Sequence, residues 1–460
     1  MRYVALGFIA VAFASMAAAQ QPDNARTLRV QMLGDVETLD PARGPELGTL
    51  NVIAPLYHQL LTYDYGSYPV RIIPYAAVAL PQISADGRTY TLKLRPGLLF
   101  PNHPAFGGKQ RELVAEDFVY SWKRVADPSY SSMSFSSLEG LIDGLDEAVA
   151  RARRDSKPFD YAAPIAGLRA VDRYTFEVRL TRPDPTFVYN FAYAGLSAVP
   201  REVVEAEGAE FSRKPIGSGP YQVARFQPGT RLDVVRNPNF VAQRWTSYAP
   251  NAPADGELAQ AMHGQMVPMV ERIEMLRIPE PSTAVLALTR GEVDMVVYAP
   301  AALVYDGTTL KKSLRDAGIR AYRAPDPGFN LLEFNMRDPQ IGGVAPVQVA
   351  LRRAVSMSID DEAWLRTFEQ GVGVVRQHII SPGSLGFDPA YRNPNAYNPA
   401  TANALLDRMC SVNRSCSRGF GTAPCSIERD SVTAGHCAAC IGCTRDSDAA
   451  ASTQPPPIAL

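Results

Sequence analysis

The chain has 460 residues, of which 46% are hydrophobic and 20% charged, and its formal net charge is −1. This is the composition of a globular protein long enough for two or three domains. Nucleic acids and anionic membrane surfaces require a basic protein face, so the near-neutral charge argues against both as partners.

The N-terminal segment 1–19 is typical of an export signal. Arg2 supplies a positive charge, residues 3–13 form an apolar stretch too short to span a bilayer, and residues 17–19 are the small alanines of a cleavage site. We expect cleavage after Ala19 and a soluble periplasmic product, without a lipid anchor because no cysteine follows. The alternative interpretation of the segment is a buried apolar helix.

Predicted strands and helices follow along the rest of the chain. Alternating apolar residues predict strands at 28–32, 89–95, 174–180, 221–226 and 231–236, and a short apolar run predicts a buried strand at 293–297. Helical spacing predicts helices at 46–61, at 115–125, from Ser282-Thr283 to Gly291, at 347–358 and at 361–371.

Proline and glycine mark the breaks between these elements. Pro55 is expected to kink or divide the first helix, because proline cannot donate a helical hydrogen bond. Asp86-Gly87 predicts a hairpin, and Pro228-Gly229 predicts a type II turn.

Helix ends carry a second set of signals. Ser282-Thr283 are expected to cap one helix, and Gly291 is expected to follow its last turn. Asp360 or Asp361 is expected to cap the helix predicted at 361–371. By contrast, Val114 occupies the cap position of the helix at 115–125 and predicts a weak start.

Six short motifs occur in one order along the chain. They are Glu37-Thr38-Leu39-Asp40-Pro41, Asp86-Gly87 to Pro96-Gly97, Ala115 to Arg124, Pro215 to Tyr221, Gly291-Glu292-Val293-Asp294, and Phe334-Asn335 followed by Val349 to Asp360. Six motifs in register argue against a chance match far more strongly than any one alone. From about Leu28 to about Asp407, the chain resembles the family 5 extracellular solute-binding proteins, the periplasmic receptors of peptide and nickel ABC importers.

The resemblance implies an α/β fold of the two-lobed periplasmic-binding-protein class II, with mixed sheets. We expect a discontinuous first lobe at 27–75 and 166–275, an insertion subdomain at 76–165, and a second lobe at 276–408 that is incomplete. Lobes of this kind close over a ligand, which favours the closed form because only there does it contact both. The Pro-, Ala- and Gly-rich stretch 248–265 is interpreted as a surface insertion.

The function implied by the resemblance is capture of a small solute, first of all a peptide, for an ABC permease in the inner membrane. The receptor is expected to be a monomer that uses no cofactor and no metal. Ligand identity stays open, because the family resemblance also covers binders of nickel chelates, opines and sugars.

The resemblance also supplies candidate ligand contacts. They are Gly44, Pro45, Glu46, Leu47, Tyr57, Tyr130, Phe135, Ser218 and Asn335. The segment 44–47 lies where peptide-binding relatives offer a strand edge to the ligand backbone, although Pro45 cannot donate to such a ladder and a plain surface turn is the alternative. The aromatic residues have a core position as their alternative role. Gly217 and Gly219 are expected to serve a tight backbone turn around Ser218.

The sequence lacks the common signatures of enzymes. It contains no Gly-x-Ser-x-Gly, no His-Glu-x-x-His and no phosphate-binding loop, and its five histidines are scattered singly. The chain is therefore predicted to be a receptor and not an enzyme. An exported enzyme with an unrecognised site remains one alternative.

The C-terminal tail differs from everything before it. All six cysteines lie within 410–443. The Cys-x-x-Cys-x-x-Cys run at 437–443 can ligate an iron–sulfur cluster, so a metal or redox protein defined by the tail is a second alternative. We predict instead that 409–460 is aberrant and disordered, because the resemblance and the apolar periodicity both stop near Leu406. A truncation or reading-frame shift after about residue 408 is the hypothesis that accounts for these changes.

Overall fold

A computed structural model describes the backbone of residues 27–32, 34–43, 47–64, 71–155, 158–245, 261–321, 331–382, 384 and 386–416. Side chains are described for all of these except 47, 48 and 409–416. Several predictions fall outside the described residues: the export signal, Gly44, Pro45 and Glu46, most of the insertion at 248–265, and most of the Cys-rich tail.

The described strands and helices belong to a mixed α/β protein. The strands are β1 (Thr27–Met32), β2 (Leu61–Asp64), β3 (Arg71–Pro74), β4 (Gln82–Ile83), β5 (Thr89–Lys93), β6 (Leu168–Asp172), β7 (Thr175–Arg179), β8 (Tyr221–Gln227), β9 (Arg231–Arg236), β10 (Gln243–Arg244), β11 (Met266–Val267), β12 (Arg272–Arg277), β13 (Tyr305–Asp306) and β14 (Thr309–Leu310). The helices are α1 (Leu47–Ile53), α2 (Ala115–Ala126), α3 (Leu145–Asp155), α4 (Arg201–Glu207), α5 (Pro281–Thr289), α6 (Ala301–Val304), α7 (Lys312–Asp316), α8 (Pro346–Ser358), α9 (Asp361–Phe368) and α10 (Pro399–Cys416). Short 3-10 helices occur at Ala54–Leu56, Pro104–Phe106, Pro128–Tyr130, Met133–Ser137, Pro185–Ala192, Ala194–Leu196 and Gly208–Ser212.

The chain forms two compact units. The first comprises Met1–Pro327, Phe368–Gly373 and Ile380–Pro389, and the second comprises Gly328–Thr367, Val374–Ile379 and Ala390–Leu460. The lobe and insertion boundaries expected from the sequence stay predictions.

One mixed sheet of the first unit has the order β1-β12-β9-β8. The strand β1 runs parallel to β12, and the two remaining pairings are antiparallel. The β8–β9 hairpin turns at Gly229, whose φ of +62° is the left-handed value that a type II turn requires of its glycine. The prediction of two strands around this turn is confirmed.

A second sheet of the first unit is antiparallel, with the order β4-β5-β7-β6. The predicted hairpin at Asp86-Gly87 joins β4 to β5, and Gly87 again has a positive φ, of +68°. The helix α2 packs against this sheet, where Trp122 lies edge-on to Phe176 with ring centroids 5.2 Å apart. The predicted strands at 89–95 and 174–180 are confirmed in this sheet.

The helix α2 is buried on more sides than its apolar stripe requires. Phe118, Val119, Trp122 and Val125 are buried as predicted, and so are Asp117, Ser121, Lys123 and Arg124. Its start is also better satisfied than Val114 predicts. The Asp117 carboxylate accepts a hydrogen bond from the Val114 backbone N–H at 2.8 Å, which replaces part of the missing cap.

The expectation that Pro55 divides the helix predicted at 46–61 is confirmed, since α1 ends at Ile53 and Pro55 lies in the 3-10 turn that follows. Two other expectations about local structure need correction. Ser282 and Thr283 do not cap α5 but lie inside it, since the helix begins at Pro281, a residue preorganised for the first helical position. The segment 293–297 is not a buried strand: Met295 makes only an isolated parallel bridge with Val30, and its side chain is exposed.

The second unit is built mainly from helices. Helix α8 matches the helix predicted at 347–358, and Asp360 caps α9 by accepting a hydrogen bond from Ala363 N at 2.9 Å. The unit has a small buried core formed by Ala354, Met357 and Ala402, with Leu405 and Leu406 half-buried against it.

Candidate ligand-binding surface

The turn after β1 is organised by one carboxylate. Asp40 Oδ1 accepts a hydrogen bond from Ala42 N at 3.0 Å, and Asp40 O accepts one from Arg43 N at 3.0 Å. Aspartate favours such turns because its side chain can bond to the backbone two residues later. The result is a fixed backbone from Asp40 to Arg43, which leads directly to the segment predicted to contact the ligand.

A buried ion pair holds this turn against α2. Arg124 donates to both Asp40 oxygens, at 3.0 Å and 2.8 Å, and the two side chains are only 2% and 1% exposed. Burial by itself lowers the pKa of Arg124, but the Asp40 carboxylate outweighs it and the net shift is upward. Bidentate geometry of this kind compensates the desolvation of both charges, so removal of either partner leaves a strongly unfavourable buried charge.

Two arginines contact the Tyr130 ring beside this pair. The guanidinium of Arg124 lies 4.7 Å from the Tyr130 ring centroid, and that of Arg43 lies 4.9 Å from it. Arg43 also lies 3.9 Å from Asp40 through Nε and is 48% exposed. The half-buried ring therefore supports a half-exposed cation through cation–π attraction.

The candidate Tyr57 has a structural role in this conformation. Its side chain is 0% exposed, and its hydroxyl donates to Leu39 O at 2.7 Å. Burial, and next the Asp40 carboxylate, raise the pKa of Tyr57 well above its usual value, which keeps the hydroxyl protonated as a donor. Tyr57 thus ties the Asp40 turn to the chain after α1 and offers no surface to a ligand here.

The glycines around Ser218 serve a close backbone approach. A Cβ atom on Gly217 would lie 2.0 Å from Leu56 O, and one on Gly219 would lie 2.6 Å from Tyr57 N. Neither glycine has a positive φ within the described chain, so the tight packing and not a left-handed turn explains them. Gly219 N donates to Leu56 O at 3.0 Å and closes the contact.

Ser218 itself faces the interior. Its hydroxyl lies 3.0 Å from His58 Nδ1, and both residues are only 1% exposed. The His58 ring also lies 4.5 Å from the Tyr75 ring and 5.6 Å from that of Phe240. Burial is the main reason why the pKa of His58 is lowered to about 3, so the ring is neutral near pH 7.

The other candidate residues are spread over the described chain. Leu47 is the first residue of α1, and Phe135 is half-buried against the core that contains Trp122. Asn335 belongs to the second unit, where it is exposed and its Oδ1 accepts a hydrogen bond from Arg337 N at 3.0 Å. Tyr57 therefore contacts the residue before Asp40, and Tyr130 contacts the arginines that flank the Asp40 carboxylate. Ser218 lies further inside and contacts His58, the residue after Tyr57.

The residues that organise this surface were not among the candidates predicted from the sequence. Asp40 and Arg124 belong to two of the six motifs, yet nothing local indicates that they pair. The signal present in the sequence was Arg124, a cation among mostly apolar residues on the helix predicted at 115–125. Among the described residues, no group of three or more His, Cys, Asp and Glu side chains is arranged to hold a metal, and no helix there is long and apolar enough to cross a membrane.

Residues 71–410 match the family described as bacterial extracellular solute-binding proteins, family 5 Middle. The dipeptide-binding protein of Escherichia coli (strain K12) is 24% identical over 362 residues, covering 76% of this chain and 57% of that protein. The di/tripeptide-binding protein 2 of Pseudomonas aeruginosa (strain UCBPP-PA14) is 27% identical over 409 residues, covering 86% of this chain and 65% of that protein. The chain thus spans less than two thirds of the length of these two relatives.

Solved structures give the same fold. The periplasmic binding protein DppA from Helicobacter pylori, in complex with peptide STSA, has a TM-score of 0.60 at 20% identity, covering 84% of this chain and 67% of that one. The Escherichia coli murein tripeptide binding protein MppA has a TM-score of 0.58 at 24% identity, covering 86% and 67%. The predicted class, a periplasmic-binding-protein-like α/β fold with mixed sheets, is confirmed.

Proposed function

The chain belongs to the bacterial extracellular solute-binding proteins of family 5, and from this membership we propose that it is the receptor of an ABC importer whose ligand is a peptide. The observation that carries the proposal is the family match over 71–410, together with relatives described as dipeptide- and di/tripeptide-binding proteins. In this proposal the receptor works in the periplasm as a monomer, without metal or cofactor, and passes its ligand to a permease in the inner membrane.

The geometry of the first unit supports a binding role. The buried Asp40–Arg124 pair fixes the backbone of the turn that ends at Arg43, and Tyr130 supports the Arg43 side chain at the surface. A preorganised surface loses little conformational entropy when a ligand binds, which favours affinity. We therefore assign Arg43 and Tyr130 to the part of this surface that contacts the ligand.

One arrangement among the described residues is reminiscent of catalysis, and its burial favours a structural role. In the described part of the chain, His58 and Ser218 are a hydrogen-bonded His–Ser pair, like a base and its nucleophile. Both are 1% exposed, and His58 Nε2 has no hydrogen-bond partner among the described residues to orient the ring. A nucleophile with no access to solvent cannot reach a substrate, so we interpret the pair as part of the core.

Isothermal titration calorimetry of the purified 460-residue chain tests the proposal. We expect saturable binding of di-, tri- or tetrapeptides, and a thermal midpoint that rises with peptide concentration because the ligand stabilises only the folded state. Nickel chelates, opines and sugars serve as the comparison ligands. Binding of one of these with no response to any peptide would overturn the assignment of a peptide ligand.

A further inference from the structure

Among the described residues, the Arg43 Nη donors have no hydrogen-bond acceptor. Within the described residues, its guanidinium contacts are the Tyr130 ring and a long approach of Nε to Asp40 Oδ2 at 3.9 Å. No Nη atom of Arg43 donates a hydrogen bond to any described residue, and about half of the side chain, 48%, is exposed. An arginine in this state presents the planar fork of N–H groups that suits a carboxylate.

The Asp40 carboxylate is shared between Arg43 and Arg124. Among the described residues it is the acidic group paired with Arg43, at 3.9 Å from Nε, and Arg124 already engages both of its oxygens through hydrogen bonds. Because Asp40 and Arg124 are both buried, the half-exposed Arg43 is the charged side chain of these three that a ligand can reach.

The side chain is also held in place before any ligand arrives. The guanidinium groups of Arg43 and Arg124 lie 4.9 Å and 4.7 Å from the Tyr130 ring centroid, and Arg124 is fixed by its own ion pair. The backbone of Arg43 is fixed as well, since its N–H donates a hydrogen bond to the Asp40 carbonyl oxygen. A supported arginine loses less rotamer freedom on binding than a free surface arginine.

We propose that Arg43 binds a carboxylate of the ligand and sets a preference for ligands that carry one in reach of this turn. The inference rests on the proposed function, because it takes the ligand to be a peptide. Two carboxylates of a peptide have the required chemistry: the C-terminal group and an acidic side chain. Tyr130 and Asp40 act as positioning residues in this proposal, and the Arg43 fork makes the contact.

Calorimetry with four peptides separates the two carboxylates. Trialanine and its C-terminal amide differ only in the terminal carboxylate, whereas Ala-Glu-Ala amide and Ala-Gln-Ala amide differ only in the side-chain carboxylate. For Arg43→Gln we expect a loss of about tenfold or more in affinity for the carboxylate-bearing member of one pair, and unchanged affinity for its neutral partner, because charge-assisted hydrogen bonds are lost. Arg43→Lys keeps the charge without the fork, so its affinity is expected to be intermediate.

Arg179→Gln is the matched control, since Arg179 is 57% exposed, lies 4.0 Å from Asp143 and belongs to β7 of the antiparallel sheet. It should leave all four affinities unchanged. If Arg43→Gln changes all four peptides equally, or none of them, the role of Arg43 is refuted while the proposed function stands. If the unmodified chain binds none of the four peptides or other short peptides, the proposed function fails, and the inference fails with it.

Discussion

The two compact units use their apolar side chains differently. The first buries large aromatic residues such as Trp122, Phe176 and Phe191 in its core, whereas the buried apolar residues described in the second are Leu351, Ala354, Met357 and Ala402. The exposed large apolar residues of the second unit are Leu331, Leu332, Met336, Val344, Val347, Ile359, Trp364, Val374, Ile379, Tyr391 and Tyr397. Because stabilisation follows the apolar area removed from water, the difference indicates that the first unit is much the more stable of the two.

Two tryptophans give the strongest test of this comparison. Trp122 is fully buried among aromatic rings and donates to Leu196 O at 3.0 Å, whereas Trp364 is 43% exposed. We expect Trp122→Ala to lower the free energy of unfolding of the first unit by about 5 kcal/mol, since it leaves a cavity and an unpaired carbonyl. Trp364→Ala should cost about 1 kcal/mol or less. Urea unfolding of the full chain measures both, and equal losses would contradict the comparison.

A second prediction extends the comparison to buried charge. Asp40→Ala leaves the Arg124 guanidinium buried without its partner, so we expect a loss of about 3–4 kcal/mol in unfolding free energy. The control is Asp316→Ala, which breaks an exposed pair with Lys312 and should change stability by less than about 0.5 kcal/mol.

The double variant Asp40→Ala/Arg124→Met sharpens this result. It removes both buried charges and should recover a large part of the stability lost by Asp40→Ala alone. A double variant no more stable than the single one would show that the Asp40 turn, and not the unpaired charge, accounts for the loss.

A smaller effect is expected from the buried histidine. Burial lowers the pKa of His58 to about 3 in the folded protein, against about 6.5 in the unfolded chain. The unfolded chain therefore binds the proton first, so this contribution to stability is complete above about pH 6.5 and is lost progressively as pH falls towards 3. At pH 4 the loss relative to pH 7 is on the order of 3 kcal/mol.

The variant His58→Asn isolates this contribution, because asparagine can still pair with Ser218 but does not titrate. Between pH 6 and 4, the stability of the unmodified chain should fall more steeply than that of the variant, by about 1.4 kcal/mol per pH unit. Urea midpoints measured across this range give both slopes. Parallel slopes would mean that His58 takes up its proton without unfolding the protein.

Local periodicity accounts for most of what the sequence predicted correctly. The strands around Gly229 and the hairpin at Gly87 follow from alternation and turn residues, because both signals act between near neighbours in the chain. The ends of elements were less well predicted. Pro55 divided the first helix as expected, but Pro281 started α5 ahead of the expected cap.

The candidate site was predictable only in part. The predictions at Gly44, Pro45 and Glu46 lie outside the described residues. Tyr130 lies at the surface that we propose for the ligand, whereas Tyr57 and Ser218 are buried and hydrogen-bonded inside the protein. A motif specifies the residue type, but an aromatic or hydroxyl residue of the same type can pack in the core or contact a ligand. The motif therefore does not predict burial.

The sequence by itself determined the family, the mixed α/β class, and the apolar face of α2, since these depend on motif order and on spacing along the chain. Only the tertiary structure decided which groups meet. Asp40 and Arg124 are 84 residues apart, and the glycines at 217 and 219 are required by the backbone of Leu56, far away in the chain. Such pairings depend on how strands and helices pack, and packing is a property of the whole chain that no local pattern encodes.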